Sequence, residues 1–194
     1  IGFGPRPGDV ERVRRIGLER YIEQQLYPAH IADAAMRSRL EGLKTTTLSS
    51  REIAEQYAMP ALQARRERQQ QMKADDCTEA PPRQQDPRDQ RANQVLVELS
   101  EQKVLRAVYS ERQLEEVLVD FWFNHFNVDA RKGIDRFLLT EYERDAIRPH
   151  VLGSFRDLLE ATAKSPAMLF YLDNWMSAAE TGLASEQRQD LSRR

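Results

Sequence analysis

SERQLEEVLVDFWFNHFNV, residues 110–128, decides the fold class because its large apolar side chains recur at helical spacing. Successive members lie three or four positions apart and form one stripe: Leu114, Val117, Leu118, Phe121, Trp122 and His125. Ser110 is the expected N-cap, and Gln113, three residues later, is its expected capping-box partner. The stretch therefore predicts an amphipathic helix that begins at Ser110 and buries this stripe.

Helical spacing continues on both sides of this stretch. Upstream, a helix is predicted by Val95, Leu96, Leu99, Val104, Leu105 and Val108. Downstream, residues 134–147 predict a helix whose inward side chains are Phe137, Leu138, Tyr142 (or Glu141) and Ile147. Ser154 with Asp157, and Ser165 before Pro166, are typical of the first turns of two further helices.

Strand signals are missing from the sequence. No segment alternates apolar and polar residues over a strand length, and no Asn-Gly pair marks a hairpin. The expected fold class is therefore all-α, an irregular multi-helix bundle with a long polar insertion.

The insertion divides the chain into three parts. Residues 64–91 contain seven basic, six acidic, six Gln and three Pro residues, and almost no large apolar side chain. Such a segment buries too little surface to offset its ordering entropy. We expect an N-terminal helical segment over 1–62, a polar linker or insertion over 63–91, and a helical core over 92–194 that continues into a further C-terminal part. Helix is expected as far as Ala74 and loop from there to residue 90.

Composition narrows the classes of partner. The net charge of −2 gives no excess of positive charge for binding nucleic acid. No apolar run reaches the roughly 18 residues that a membrane span requires. The single cysteine, Cys77, excludes an internal disulfide and is interpreted as an incidental exposed thiol. The expected partners are another protein or the remainder of the same chain.

Two interpretations of His125 stay open at this stage. It is either a core histidine bonded to a main-chain group, or a general base or metal ligand. The sequence contains no HExxH, paired-cysteine or EF-hand pattern, so no metal site is predicted. The glycines near the N-terminus match no phosphate-binding loop, so no cofactor site is predicted and any cofactor is left unknown.

The candidate catalytic residues are His125, Asp145 and Asp173. Asp145 lies four residues after Glu141, so both carboxylates share a helix face and can form an acid/base site with a histidine. The structural alternative is ordinary pairing of Glu141 or Asp145 with Arg144 or Arg148, together with an interhelical salt bridge.

A family resemblance rests on three long motifs. The central stretch, the later run LLTEYERDAIRPHVLGSFRDLLEATAKSPAMLFYLDNW and the opening IGFGPRPGDVERVRRIGLERYIEQQLYP occur in the order typical of one family. By these motifs the chain resembles the bacterial domain-of-unknown-function 1800 family. The resemblance implies a predominantly helical protein, often exported, usually longer than this chain, and without an established reaction. It also implies a further acidic, histidine-bearing helical motif after YLDNW.

Two functional hypotheses follow from these observations. In the first, the chain is an exported helical scaffold or interaction protein, in which FWFNHF and MLFYLDNW form a core and an aromatic partner surface. In the second, it is part of a hydrolase-like or metal-assisted enzyme that uses His125 with nearby carboxylates. The surroundings of His125 distinguish them, because an enzyme needs this side chain in a cleft beside a carboxylate.

Overall fold

A computed structural model describes residues 2–74 and 86–177, and within these ranges the regular structure is helical with no strand. The α-helices are α1 (Asp9–Ile16), α2 (Leu18–Leu26), α3 (Ala34–Leu40), α4 (Ser50–Ile53), α5 (Met59–Ala74), α6 (Pro87–Tyr109), α7 (Gln113–His125), α8 (Leu139–Glu141), α9 (Phe155–Lys164) and α10 (Pro166–Tyr171). Short 3-10 turns join several of them, and π-helical turns span Ala54–Ala58 and Tyr142–Ile147. The prediction of an all-α fold is confirmed.

Two apolar clusters hold these helices together. The larger one joins α6, α7, α9 and α10 to the segment around Tyr142, and its buried members are Leu99, Val119, Val128, Leu139, Tyr142, Ala146, Ile147, Val151, Leu158 and Ala167. The smaller one joins the 50–61 region to the first half of α6. Because α6 contributes to both clusters, it helps to connect the N-terminal helices to the rest of the fold.

The central helix begins later than its sequence predicts. Ser110 is not its N-cap, because Ser110 ends α6 and its hydroxyl donates to Asp33 at 2.7 Å. The first residue of α7 is Gln113, whose side-chain amide donates to the carbonyls of Ala107 and Ser110. The Ser110 hydroxyl also accepts from the amide of Arg112 at 3.1 Å, so it bonds within the turn between α6 and α7 and to the distant Asp33, and not to the amide of Gln113.

The buried face of α7 also differs from the predicted stripe. Its buried residues are Gln113, Glu116 and Val119, whereas Phe121 and His125 are exposed. Leu118 and Trp122 are half-buried against the larger cluster. The observed buried face of α7 is the one that carries Glu116, and this carboxylate has ionic partners inside the fold.

Helical structure extends into the predicted insertion from both sides. α5 runs to Ala74 as expected, and α6 begins at Pro87 after the N-cap Asp86, whose carboxylate accepts from the amide of Arg88. The loop expected as far as residue 90 is therefore wrong for residues 87–90. Cys77 lies outside the described residues, and the three-part division of the chain stays a prediction.

The segment after α7 is helical but changes type along its length. It passes from a 3-10 turn through α8 to the π-helical turn Tyr142–Ile147 and a second 3-10 turn. Phe137, Tyr142 and Ile147 are buried as predicted. The predicted caps of the next two helices are confirmed, since the hydroxyls of Ser154 and Ser165 accept from main-chain amides three residues later. No helix in the described parts of the chain has the length and apolarity to cross a bilayer.

Candidate functional site

An aromatic surface lies at the C-terminal end of α7 and the start of α9. We define it by its five rings: Phe121, Trp122, His125, Phe126 and Phe155. The Trp122 ring stacks on Phe126 at 5.6 Å between centroids and contacts Phe155 at 5.7 Å. Phe121 and Phe155 are 55% and 56% exposed. The rings therefore pack against one another, and two of them, Phe121 and Phe155, keep more than half of their surface in solvent.

His125 belongs to this surface and not to the core. Its ring stacks on Phe121 at 5.9 Å and meets the edges of Trp122 and Phe126 at 5.4 and 4.9 Å. The interpretation of His125 as a core histidine is wrong, because the side chain is exposed. Its contacts are those of one more ring in an aromatic group.

The two candidate aspartates are placed on other parts of the surface. Asp145 pairs with Arg144 at 2.7 Å, and this hydrogen bond lowers the pKa of the Asp145 carboxyl. Asp173 pairs with Lys132 at 3.0 Å. Among the described residues, no hydrogen bond, ion pair or ring contact joins His125, Asp145 and Asp173 to one another. Their assignment as a catalytic set stays a prediction, and the ordinary pairing proposed for Asp145 is present.

A buried network of charged side chains lies beneath α7. Arg148 donates to Glu116 at 2.9 Å and to Glu143 at 2.7 Å, so one guanidinium bridges two carboxylates. Arg106 of α6 adds a third contact, to Glu116 at 3.2 Å. Glu143 has no exposed surface and Glu116 has almost none. This network supplies the interhelical salt bridge expected from the sequence, but with Glu116 and Glu143 as the acids.

Two atoms of the network are buried without a hydrogen-bond partner, Nε of Arg106 and Oε2 of Glu143. Burial alone lowers the pKa of the Arg148 guanidinium, but the charges of Glu116 and Glu143 outweigh burial and raise it. The Arg148 side chain therefore stays charged inside the fold. Glu143 also lines a cleft of about 180 Å³, together with Phe3 and residues of α6 and α7.

Sequence reasoning missed this network because charged residues in a helix normally face solvent. Glu116 shares the buried face with Gln113 and Val119, at a spacing of three, and that spacing is the only local signal. Nothing local identifies Arg106 and Arg148 as its partners, since they lie 10 and 32 residues away. In the described parts of the chain, no three His, Cys, Asp or Glu side chains are grouped so as to hold a metal ion.

Substitution of Trp122 measures how much the aromatic surface contributes to the free energy of unfolding. The ring is half-buried and packs against both the larger apolar cluster and the neighbouring rings. Half of a tryptophan side chain, roughly 125 Å², at ~25 cal/mol per Å² gives about 3 kcal/mol, so we expect Trp122→Ala to lower the free energy of unfolding by this amount. Urea denaturation followed by circular dichroism measures it. An unchanged midpoint would show that Trp122 does not support the fold.

Comparison with known proteins identifies one family. Searches of curated proteins and of solved structures found no significant match. The family model described as "Protein of unknown function (DUF1800)" matches residues 1–182. The match includes α7, the aromatic surface and the buried network, and it confirms the resemblance drawn from the three motifs. Since the match covers most of the 194 residues, this chain belongs to the DUF1800 family.

Proposed function

We propose that this chain is a helical interaction module that binds a protein partner through the aromatic surface. The observation that carries the proposal is the exposure of Phe121 and Phe155, each more than half open to solvent beside half-buried rings. Contiguous exposed apolar patches are uncommon on monomeric proteins and mark interaction sites. Aromatic side chains are also enriched where binding energy is concentrated, because they bury large areas at low entropic cost.

The chemistry of the surface defines the kind of partner. Leu159, which is 44% exposed, lies one turn after Phe155 on α9 and extends the apolar area along this helix. None of the four carbocyclic or indole rings carries a charge, so the centre of the surface favours apolar and aromatic side chains of a partner. We therefore propose a partner that presents a row of leucine or aromatic side chains, such as an amphipathic helix.

The interaction has an expected place in the cell. The family resemblance supports export from a bacterial cell, so we propose that the module meets its partner in the periplasm or at the cell surface. A scaffold role fits this setting, because an interaction module needs a stable fold and an open contact surface. The buried network and the two apolar clusters supply the stable fold.

Site-specific photocrosslinking tests the surface directly. A benzophenone amino acid is placed at position 155 and, as the matched control, at Tyr27, which is 57% exposed on a different element. Bacteria that naturally contain the protein are irradiated and fractionated before the product is captured. We expect one product of defined mass from position 155, in the periplasmic or surface fraction, and none from position 27.

A second variant tests whether the crosslinked product depends on the aromatic surface. Phe121→Ser beside the probe should remove the product while the melting temperature stays nearly unchanged, because most of this ring is in solvent. A product that contains a different protein, or a second copy of this chain, supports the proposal. A crosslink within the same chain, or equal products from both positions, would overturn binding through the aromatic surface. Recovery of the product only with a cytosolic marker would overturn the proposed location.

A further inference from the structure

An arginine cluster lies where α5 packs against the first two turns of α6. We define it by three guanidinium groups, those of Arg65 and Arg68 on α5 and of Arg136 in the 3-10 turn after α7. Arg65 and Arg68 both pair with Asp89 of α6, Arg65 at 3.5 Å. Arg136 donates to the side-chain oxygen of Asn93, one turn after Asp89. The three cations therefore gather along one face of α6.

The described side chains around the cluster do not balance its charge. Three guanidinium groups share the single carboxylate of Asp89, which leaves an excess of two positive charges. The adjoining contacts of Arg88 with Glu67 and Asp86, at 2.9 and 3.2 Å, add one net negative charge, which reduces the excess without removing it. Since the whole chain has a net charge of −2, this positive excess is a local feature.

Arg136 is the least neutralised member of the cluster. Its side chain is half-buried, and its partners among the described residues are the Asn93 oxygen and the Phe137 ring, 5.1 Å from the guanidinium carbon. Nε is buried without an acceptor, whereas Nη1 has no hydrogen bond to a described residue and reaches solvent. Burial and the charge of Arg65 lower the pKa of Arg136, and Asp89 opposes them. Such a cation gains from an anion at its open nitrogen.

The chemistry of the cluster identifies an oxyanion as the ligand. A guanidinium group offers paired N–H donors that match the oxygens of a phosphate. A phosphate monoester carries roughly one and a half to two negative charges near pH 7, close to the charge that the cluster lacks. The Arg65 and Arg68 side chains are 61% and 40% exposed, so an anion can approach from solvent.

We propose that Arg65, Arg68 and Arg136 form a binding site for a phosphate group, either free in solution or carried by a lipid headgroup. Each arginine contributes N–H donors that its protein contacts leave unused. The positive end of the α6 dipole adds to their attraction for the anion. The site is independent of the aromatic surface, because the two share no residue.

Nuclear magnetic resonance titration of the whole chain with inorganic phosphate tests the site. We expect saturable shifts of the Asp89 and Asn93 amides, with a dissociation constant on the order of millimolar for so small a ligand. Sodium chloride at equal ionic strength is the control, because a general effect of salt would produce the same shifts with either anion. Asp89→Asn should strengthen phosphate binding, since it removes the carboxylate that competes for Arg65 and Arg68.

Two variants and a matched control locate the binding residues. Arg136→Met and Arg65→Met each remove one guanidinium group and should weaken phosphate binding at least tenfold. Arg65 is largely exposed, so its substitution tests the site without disturbing the fold. Arg51→Met changes the net charge equally, but Arg51 is 87% exposed and lies about four helical turns, ~21 Å, before Arg65. It should leave phosphate binding unchanged.

Vesicle sedimentation distinguishes the two sources of the phosphate group. Phosphatidylcholine vesicles with phosphatidic acid are compared with vesicles of phosphatidylcholine alone. Co-sedimentation that Arg136→Met removes and Arg51→Met retains would assign the site to a lipid headgroup, whereas phosphate-specific shifts without co-sedimentation would assign it to a free phosphate. Equal shifts with phosphate and chloride and no co-sedimentation, or binding that persists in both Arg136→Met and Arg65→Met, would overturn the proposal.

Discussion

Arg148→Met should lower the free energy of unfolding by about 3 to 5 kcal/mol, the range typical of breaking a buried ion pair. The substitution keeps most of the aliphatic length but removes the guanidinium that bridges Glu116 and Glu143. Glu143 then loses the cation that it contacts in the parent protein, and its side chain is completely buried. The destabilisation comes from that uncompensated charge more than from the lost packing.

Two comparisons separate this explanation from a general effect of losing an arginine. Arg131→Met removes an exposed ion pair with Asp129, in which the arginine side chain is 90% exposed, and should cost less than about 1 kcal/mol. Adding Glu143→Gln to Arg148→Met should recover part of the loss, because it removes the isolated charge. Urea denaturation with a check on the slope measures all three. An Arg148→Met effect as small as that of Arg131→Met would contradict a buried network.

The same network marks the limit of prediction from sequence. Periodicity predicted the helices around α7, and it identified Phe137, Tyr142 and Ile147 as core residues, because apolar burial repeats with the helix turn. Periodicity predicted the wrong buried face for α7, because Glu116 is buried although glutamate normally faces solvent. Its burial is stabilised by Arg106 and Arg148, which no local pattern connects to it.

Helix ends show the same division between local and distant contacts. The caps at Ser154 and Ser165 were predictable, because each hydroxyl binds an amide three residues along the chain. Ser110 has an equally good local signature, but its hydroxyl binds Asp33, 77 residues away. The aromatic surface was only partly predictable: the sequence groups the rings of α7, but only the fold brings Phe155 to them.

Another buried carboxylate, that of Asp135, lies in the first 3-10 turn after α7. Its side chain has no exposed surface, and neither carboxylate oxygen has a hydrogen-bond partner among the described residues. Burial raises the pKa of Asp135 from 3.8 to about 6; Lys132 opposes this effect, and Asp173 and Asp129 add to it. The folded state therefore holds a proton that the unfolded chain releases between about pH 4 and 6.

Asp135→Asn should stabilise the fold at pH 7 by up to about 3 kcal/mol, the free energy that corresponds to a pKa of about 6 instead of 3.8. The sign follows from proton binding: the folded state binds more protons than the unfolded state in this window, so the contribution of Asp135 to stability falls as the pH rises through it. The amide is neutral at every pH, so the gain should vanish near pH 4. Denaturation midpoints at pH 4, 5, 6 and 7 measure this difference between variant and parent.

Asp86→Asn provides the control of opposite sign. Hydrogen bonds from the Arg88 side chain and amide lower the pKa of Asp86, so its charged form favours the folded state, and losing it should not stabilise the protein at pH 7. Parallel pH profiles for Asp135→Asn and the parent would mean that Asp135 titrates alike in the folded and unfolded states. Converging profiles toward pH 4 would instead identify Asp135 as a buried acid that lowers stability at neutral pH, and would show that the turn after α7 is most stable when this carboxyl is protonated.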